Sequence, residues 1–167
     1  PSPPAQRVVG EGVTGTLLRH AQFPSRHVAA RNVDVWLPPG YDEAKDARYP
    51  VLYMHDGQML YDAEQTWNKQ AWEVDEVMAK LKAAQQIQDV IVVGIWNGGE
   101  TRHFDYFPQK PFEMLTQKQQ DSIYTLERSP GVKLFNGRVS SDNYLKFIVQ
   151  ELKPVIDKKY AVATDKA

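Results

Sequence analysis

The sequence Tyr49-Pro50-Val51-Leu52-Tyr53-Met54-His55-Asp56-Gly57-Gln58 contains a short apolar run that breaks abruptly into a polar turn. A run this rich in Val, Leu and Tyr is typical of a strand that is buried on both faces of a parallel sheet. Open α/β sheets bind ligands just beyond the carboxyl ends of such strands. The turn that begins at Asp56 is therefore the first candidate for a functional site.

The composition is that of an ordinary water-soluble globular protein. The chain has 167 residues, enough for one domain, and its hydrophobic and charged fractions are 42% and 25%. The formal net charge of −1 shows no excess of positive charge that would attract nucleic acid or an anionic membrane. We therefore expect neither as a partner. No apolar stretch reaches the roughly 20 residues that span a bilayer. Cysteine is absent, which excludes disulfides and thiolate chemistry.

The two ends of the chain carry little structural signal. Residues 1–7 are predicted to form an extended lead-in, residues 8–160 the folded domain, and residues 161–167 a polar tail. The first residue is Pro1 rather than Met. Removal of an export signal and removal of a tag explain this equally well, so the compartment stays open, with export as one alternative.

Hydrophobic spacing predicts an α/β fold. Strands over 13–18 and 28–37 are expected to pair as an antiparallel hairpin, which the prolines and glycine at 38–40 end. After the quoted strand come an amphipathic helix over about 71–84 and a strand over 90–96, which together make a right-handed crossover unit. We therefore expect a mainly parallel sheet with an antiparallel start and helices on both faces.

Two further features follow the crossover unit. No periodicity is found over 98–138. A stretch of about 40 residues without elements is typical either of a functional lid or of a partly disordered segment. Beyond it, Ser140, Ser141 and Asp142 offer helix N-caps, and apolar residues at helical spacing predict a final helix. Pro154 interrupts that pattern, so we expect a kink or two short helices there.

Three segments together resemble a known family. They are the quoted run, the strand Val33-Asp34-Val35-Trp36-Leu37-Pro38-Pro39-Gly40-Tyr41 and the run Val90-Ile91-Val92-Val93-Gly94-Ile95-Trp96-Asn97-Gly98-Gly99. The sequence resembles the Putative esterase family of the α/β-hydrolase superfamily, which includes ferric-enterobactin, feruloyl and S-formylglutathione esterases and mycolyltransferases. This resemblance implies the N-terminal half of an α/β-hydrolase domain and a small ester as substrate, with no cofactor.

The same resemblance assigns roles to the turn after the quoted strand. An acyl-transfer enzyme needs backbone N–H groups aimed at the oxygen that becomes negative in the tetrahedral intermediate. The resemblance makes the backbone N–H of Gln58 one of these donors. Gly57 would let the backbone turn tightly beside the substrate, and Asp56 would bind substrate hydroxyls or hold the loop. From these residues alone the alternative is a plain strand-end turn in which Asp56 accepts local N–H bonds.

Two other segments are expected to border the pocket. Arg102-His103-Phe104-Asp105-Tyr106-Phe107-Pro108 resembles the family's Arg-x-x-Glu-Tyr-x-Pro element, with Asp where Glu is usual. Arg102 would pair with an acid, either Asp56 or Asp105, with Tyr106 packed beneath it; the alternative is a solvated loop charge. Trp67 is a candidate for the wall of a substrate cleft. Trp72-Glu73-Val74-Asp75 matches the family's Trp-x-Val-Asp, and an aromatic residue at a helix start is more often core.

Histidine and metal chemistry are not expected in this chain. Histidine is a common general base, which makes His55 a candidate, but a His at the end of a buried strand is more often a hydrogen-bonded core residue. The family's catalytic His lies near the far C-terminus of its domain. His20, His27 and His103 have no metal-ligand spacing among themselves or with acids, so no metal site is predicted.

A serine hydrolase also needs a nucleophile on a sharp turn between strand and helix, with a base and an acid beside it. The pattern Gly-x-Ser-x-Gly occurs nowhere in these 167 residues. We therefore expect the quoted strand to have an open edge, completed by the C-terminal half of a hydrolase domain or by self-association. Two alternatives to an esterase half stay open: a non-catalytic member of the fold that binds a sugar or acyl ligand, and an inactive fragment.

Overall fold

A computed structural model describes residues 4–8 and 12–164, which form two compact units. The first unit takes its described residues from 1–24, 30–97 and 153–167, and the second unit comprises 25–29 and 98–152. Most of the predicted lead-in lies outside the described residues, as does the end of the predicted tail. The lead-in is wrong for Gln6 and Arg7, because these residues already belong to a strand.

The first unit is built on a five-stranded sheet in the order β1-β2-β3-β5-β4. Strands β1 to β3 pair antiparallel in succession, and β3 also pairs antiparallel with β5. The β4–β5 pair is parallel, with Val51 opposite Ile91 and His55 opposite Ile95. The α/β class with an antiparallel start is thereby confirmed. The strands are β1 Gln6–Val8, β2 Thr16–Phe23, β3 Arg31–Leu37, β4 Val51–His55 and β5 Ile91–Ile95.

Strand β4 lies at an edge of the described sheet, so the prediction that it is buried on both faces is wrong. Its Leu52 is 44% exposed, and His55 is exposed as well. All five residues of β5 are buried instead. The physical reason is the strand order: β5 inserts between β3 and β4 and takes the central position. The same apolar composition fits both positions, and only pairing separates them.

Helix α1, Val74–Ala83, follows β4 through two short 3₁₀ turns. Its Val74 and Met78 pack with Trp36, Leu60 and Val92 in the main apolar cluster of this unit. The prediction that Trp72 is core is wrong, because its side chain is 51% exposed. Glu73 adopts left-handed backbone angles, so the helix begins only after it and Trp72 does not lie on the buried helical face.

The end of the described chain returns to the sheet. Val162 forms a parallel bridge with Tyr49, whose N–H donates to the carbonyl of Ala161 at 2.8 Å. Tyr160, Ala161 and Val162 are all buried. The predicted tail over 161–167 is therefore wrong at its first two residues, because the tyrosine just before β4 offers backbone groups that these residues pair with.

The second unit contains secondary structure where none was predicted. Its helices and hairpin are short, so no apolar stripe is long enough to give a helical period. Their shared core is aromatic: Phe112 and Phe135 are buried, and Phe107, Phe112, Phe135 and Tyr124 meet edge to face. The elements are α2 Arg102–Tyr106, α3 Gln109–Glu113, α4 Gln117–Tyr124, β6 Glu127–Ser129 and β7 Val132–Lys133.

The predicted interruption at Pro154 is present as a change of helix type. Helix α5, Ser141–Lys146, continues into a π-helical segment, Phe147–Leu152, which α6, Lys153–Lys159, follows. Proline lacks a backbone N–H and its ring crowds the carbonyl four residues earlier. A wider π turn directly before Pro154 is one of the few arrangements that accommodates both constraints inside a helix.

Candidate functional site

The turn after β4 is short and conformationally unusual. Asp56 has backbone angles φ 54° and ψ 45°, in the left-handed region that non-glycine residues rarely occupy. A 3₁₀ turn, Gly57–Met59, follows at once, and the N–H of Met59 donates to the Asp56 carbonyl at 2.9 Å. Asp56 is buried, with 8% of its surface exposed. A strained and buried residue at the carboxyl end of a strand is a reason to look for function there.

Gly57 brings the turn against the central strand. A methyl group added at its Cα would lie 2.6 Å from the backbone carbon and oxygen of Gly94 in β5. A methyl group at Gly94 would in turn lie 2.8 Å from Leu60. Two glycines, one from each side, are thus required for this close approach. The structure explains Gly57 by contact with β5, and its approach to a substrate stays a prediction.

Asn97, two residues beyond β5, holds the turn on both sides of Gly57. Its side-chain Nδ2 donates to Asp56 Oδ1 at 2.8 Å. Its backbone N–H donates to Gln58 Oε1 at 3.1 Å. One residue therefore binds the side chains at positions 56 and 58, which flank the glycine.

A buried polar cluster lies next to this turn. Asp34 on β3 is 2% exposed and accepts two hydrogen bonds from Arg19, Nε at 2.8 Å and Nη2 at 2.9 Å. The Trp96 indole N–H donates to the same carboxylate at 2.9 Å. The guanidinium carbon of Arg19 lies 4.7 Å from the centre of the Trp96 ring. Paired hydrogen bonds and stacking satisfy this buried charge and fix Trp96.

A small cavity connects the cluster to the turn. Gly57 and Gln58 border it on one side, and Asp34, Trp96 and Tyr61 also line it. Burial raises the pKa of Tyr61 well above its ordinary value, and the negative charges of Asp34 and Asp75 act in the same direction. The tyrosine stays protonated, so near neutral pH it contributes a neutral hydroxyl to this wall.

The structure brings three of the predicted site residues together in one turn: Asp56, Gly57 and Gln58. Within the described residues, the N–H of Gln58 donates to no backbone acceptor, whereas the N–H groups of Met59 and Leu60 do. The first N–H after Gly57 therefore has no backbone acceptor among the described residues.

The two remaining predicted site residues, Trp67 and Arg102, are not part of this turn. Trp67 belongs to the first unit and is 88% exposed, in a turn held by the Lys69 N–H and the Thr66 carbonyl. Arg102 opens α2 in the second unit, with its guanidinium carbon 5.3 Å from the centre of the Tyr106 ring, as expected. Asp105 accepts a hydrogen bond from the Thr101 hydroxyl at 2.7 Å. The predicted pairing of Arg102 with an acid stays a prediction.

His55 is exposed, so its interpretation as a core histidine is wrong. It ends β4, and the edge position of that strand is what exposes it. Within residues 4–8 and 12–164, no three His, Cys, Asp or Glu side chains gather in a way that would hold a metal ion. The helices of the described chain are too short and too polar to cross a membrane.

Sequence reasoning missed Asn97, Asp34, Arg19 and Trp96. Asp34 carried a usable signal, since a single carboxylate stands between Val33 and Val35 in an otherwise apolar strand. A charge in such a strand must find a partner when buried. Asn97 carried none, because its role depends on which strand lies beside β4.

Comparisons with known proteins identify the family and the fold of the chain. The model of the family described as "Putative esterase" matches residues 27–167. A search of curated proteins gives no match. The chain is similar in structure to a ferulic acid esterase, with a TM-score of 0.53 and 22% identity over 91% of this chain and 47% of that one. It is also similar to an IroE-like serine hydrolase from Shewanella oneidensis, with a TM-score of 0.52 and 21% identity over 95% of this chain and 39% of that one.

A third similar structure is the BES protein from Bacillus cereus, with a TM-score of 0.50 and 19% identity over 95% of this chain and 49% of that one. The chain thus spans less than half the length of these structures. The mixed α/β fold of this chain is shared with these esterase-like structures. The family match covers most of the sequence, and the chain belongs to the Putative esterase family.

Proposed function

We propose that this chain forms the oxyanion-binding side and part of the substrate pocket of a serine carboxylic-ester hydrolase. The observation that carries the proposal is the N–H of Gln58, which has no backbone acceptor in the described chain and lies in a turn held from both sides. Membership in the esterase family supports the same reaction.

In the proposed reaction, a serine hydroxyl attacks the carbonyl carbon of a small ester. The carbonyl oxygen becomes negative, and the N–H of Gln58 donates a hydrogen bond to it. The C–O bond to the alcohol then breaks, and the alcohol leaves with the proton that the base took from serine. Water hydrolyses the acyl-enzyme in the second half of the cycle. No step in this sequence uses a cofactor. Asp56, Gly57 and Trp67 would line the pocket on the side of the first unit.

The nucleophile, the base and the orienting acid would come from residues outside these 167. The edge position of β4 supports this completion, because a strand with an exposed Leu52 leaves a row of backbone groups for another strand. We infer that the remaining part of the hydrolase domain occupies this edge. Pairing with a second copy of the chain is the other arrangement, and a sample that stays monomeric in the bare 167-residue form would count against both.

The proposal is tested by treating the complete gene product with a fluorophosphonate, which labels activated serines, and measuring its intact mass. We expect one adduct on a species heavier than the 167-residue chain, together with hydrolysis of small aryl esters. The matched control is the 167-residue chain itself, which contains no Gly-x-Ser-x-Gly and should take no label. A complete gene product that binds esters without label or turnover would make the protein a non-catalytic ligand-binding member of the fold.

A further inference from the structure

Asn97 connects the two strand ends that meet at the candidate site. Its side chain binds Asp56 and its backbone binds the side chain of Gln58, at 2.8 Å and 3.1 Å. These two hydrogen bonds reach the residues on either side of Gly57. With positions 56 and 58 both held, the peptide group between Gly57 and Gln58 has little freedom to rotate. That peptide group carries the N–H of Gln58.

The conformation of Asp56 makes such a contact necessary. Left-handed backbone angles disfavour every residue with a Cβ, although Asp and Asn tolerate them better than other types. The conformation persists only when its surroundings favour it. The hydrogen bond from Asn97 supplies a partner for the Asp56 carboxylate in this geometry. Removing this hydrogen bond weakens the support for these angles at Asp56.

Asn97 is itself held by the preceding residue. The N–H of Trp96 donates to the carbonyl of Asn32 at 3.0 Å, which extends the β3–β5 pairing by one residue. The Trp96 indole donates to the buried Asp34, and Arg19 stacks on the ring while binding the same carboxylate. The support therefore reaches from the centre of the sheet through Trp96 to Asn97, and from there to the turn.

From this arrangement we propose that Asn97 is a positioning residue that sets the direction of the Gln58 N–H in the proposed oxyanion hole. The inference rests on the proposed function, since it concerns the same donor. A preorganised donor stabilises developing charge only when it already points to the oxygen. Asn97 acts through Asp56 and Gln58, and it need not touch the substrate.

The test is a side-chain exchange in the complete gene product. Asn97→Asp removes the Nδ2 donor and sets two carboxylates against each other, where the native atoms are 2.8 Å apart. The double variant Asp56→Asn/Asn97→Asp restores an amide opposite a carboxylate with the direction of the bond reversed. Its net charge equals that of the native protein. Asparagine also tolerates left-handed angles at position 56.

We expect Asn97→Asp to lower kcat by about 10- to 100-fold with KM within about twofold, less than the 10²- to 10³-fold that follows loss of an oxyanion donor. The double variant should recover at least half of that loss on a logarithmic scale. Affinity for a trifluoromethyl ketone, which mimics the tetrahedral intermediate, should fall with kcat. A purely structural role would leave the affinity for this mimic relative to substrate unchanged.

Hydrogen exchange at the Gln58 amide separates this inference from the proposed function. If Asn97→Asp does not fold, Asn97→Ala carries the test, because it removes the side-chain bond to Asp56 and keeps the backbone bond to Gln58. Suppose that the native protein hydrolyses no ester, but that the Gln58 amide exchanges faster in the Asn97 variant than in the native protein. That outcome would overturn the esterase proposal and keep the positioning role of Asn97. An active native protein whose kcat and mimic affinity do not change in Asn97→Asp or Asn97→Ala would overturn the inference about Asn97.

Discussion

Gly57→Ala probes the contact between the turn and β5 most directly. The new methyl carbon would lie 2.6 Å from the backbone carbon and oxygen of Gly94 and 2.9 Å from the backbone carbon of Ile95. Favourable carbon contacts lie at about 3.5 to 4.0 Å, so the overlap approaches 1 Å. All three atoms belong to a buried central strand, which cannot rotate away as a side chain can.

The expected cost follows from what has to move. Overpacking a core typically costs about 1 to 3 kcal/mol, and we expect the upper end for Gly57→Ala because backbone must shift. That is a large share of the total stability of about 5 to 15 kcal/mol that is usual for a domain. With a urea dependence of about 2 kcal/mol per molar, the unfolding midpoint should fall by about 1.5 M.

Gly94→Ala is the matched control. Its methyl group would meet Leu60 Cδ1 at 2.8 Å and Gly57 Cα at 3.3 Å. The first of these is the end of a leucine side chain, which can change rotamer, so we expect a cost of about 1 kcal/mol. Urea unfolding followed by circular dichroism measures both variants against the native protein. Equal costs for the two variants, or a cost below about 0.5 kcal/mol for Gly57→Ala, would refute the close-approach argument.

Two buried tyrosines give the remaining predictions. Within the described residues the Tyr61 hydroxyl has no hydrogen-bond partner, so Tyr61→Phe should keep or raise the free energy of unfolding by up to about 1 kcal/mol. Tyr160→Phe should lower the free energy of unfolding by about 1 to 2 kcal/mol, because this substitution removes a 2.8 Å hydrogen bond to buried His20. Similar urea midpoints for the two variants would contradict this contrast. Burial first, then the charges of Asp34 and Asp75, raise the pKa of Tyr61. The folded state therefore holds the Tyr61 proton more tightly than the unfolded chain does. The free energy of unfolding keeps its full value below about pH 10 and falls above it, by up to about 1.4 kcal/mol per pH unit. Alkaline urea titrations should show a shallower decline for Tyr61→Phe, and an unchanged decline would count against the raised pKa.

The sequence predicted element types where the periodic pattern was long enough. Helix α1 lies within a few residues of its predicted bounds, because ten residues with apolar side chains at helical spacing leave few alternatives. Strand β5 also lies close to its predicted bounds, and its signal is a continuous apolar run. The elements over 98–138 in the second unit were missed for the opposite reason. Its helices have five to eight residues, and their apolar side chains serve an aromatic cluster that forms only in three dimensions.

Of the candidate site, the sequence could place the turn but not its surroundings. Asp56, Gly57 and Gln58 are adjacent in the chain, so any fold that ends β4 at His55 brings them together. The contacts of Asn97 depend on β5 lying beside β4 in parallel register, which no local pattern encodes. The open edge of β4 was expected because no Gly-x-Ser-x-Gly pattern follows it, and β4 lies at an edge of the described sheet. Burial of β4 on both faces was predicted wrongly, because an apolar composition does not show how well each face of a strand is covered.

Strand β5 and the residues just beyond it therefore control the turn more than β4 does. Gly94 provides the space into which Gly57 fits, and Asn97, three residues later, provides the hydrogen bonds that hold its neighbours. Alternate side chains of a strand face opposite sides of a sheet. The contact between Gly94 and Gly57 is made by backbone atoms, so it does not depend on which side a side chain faces. Substitutions between positions 94 and 97 should consequently change the direction of the Gln58 N–H without any of these residues contacting a substrate. A variant series along β5 that altered catalysis only through loss of folded protein would show that the turn is positioned by β4 alone.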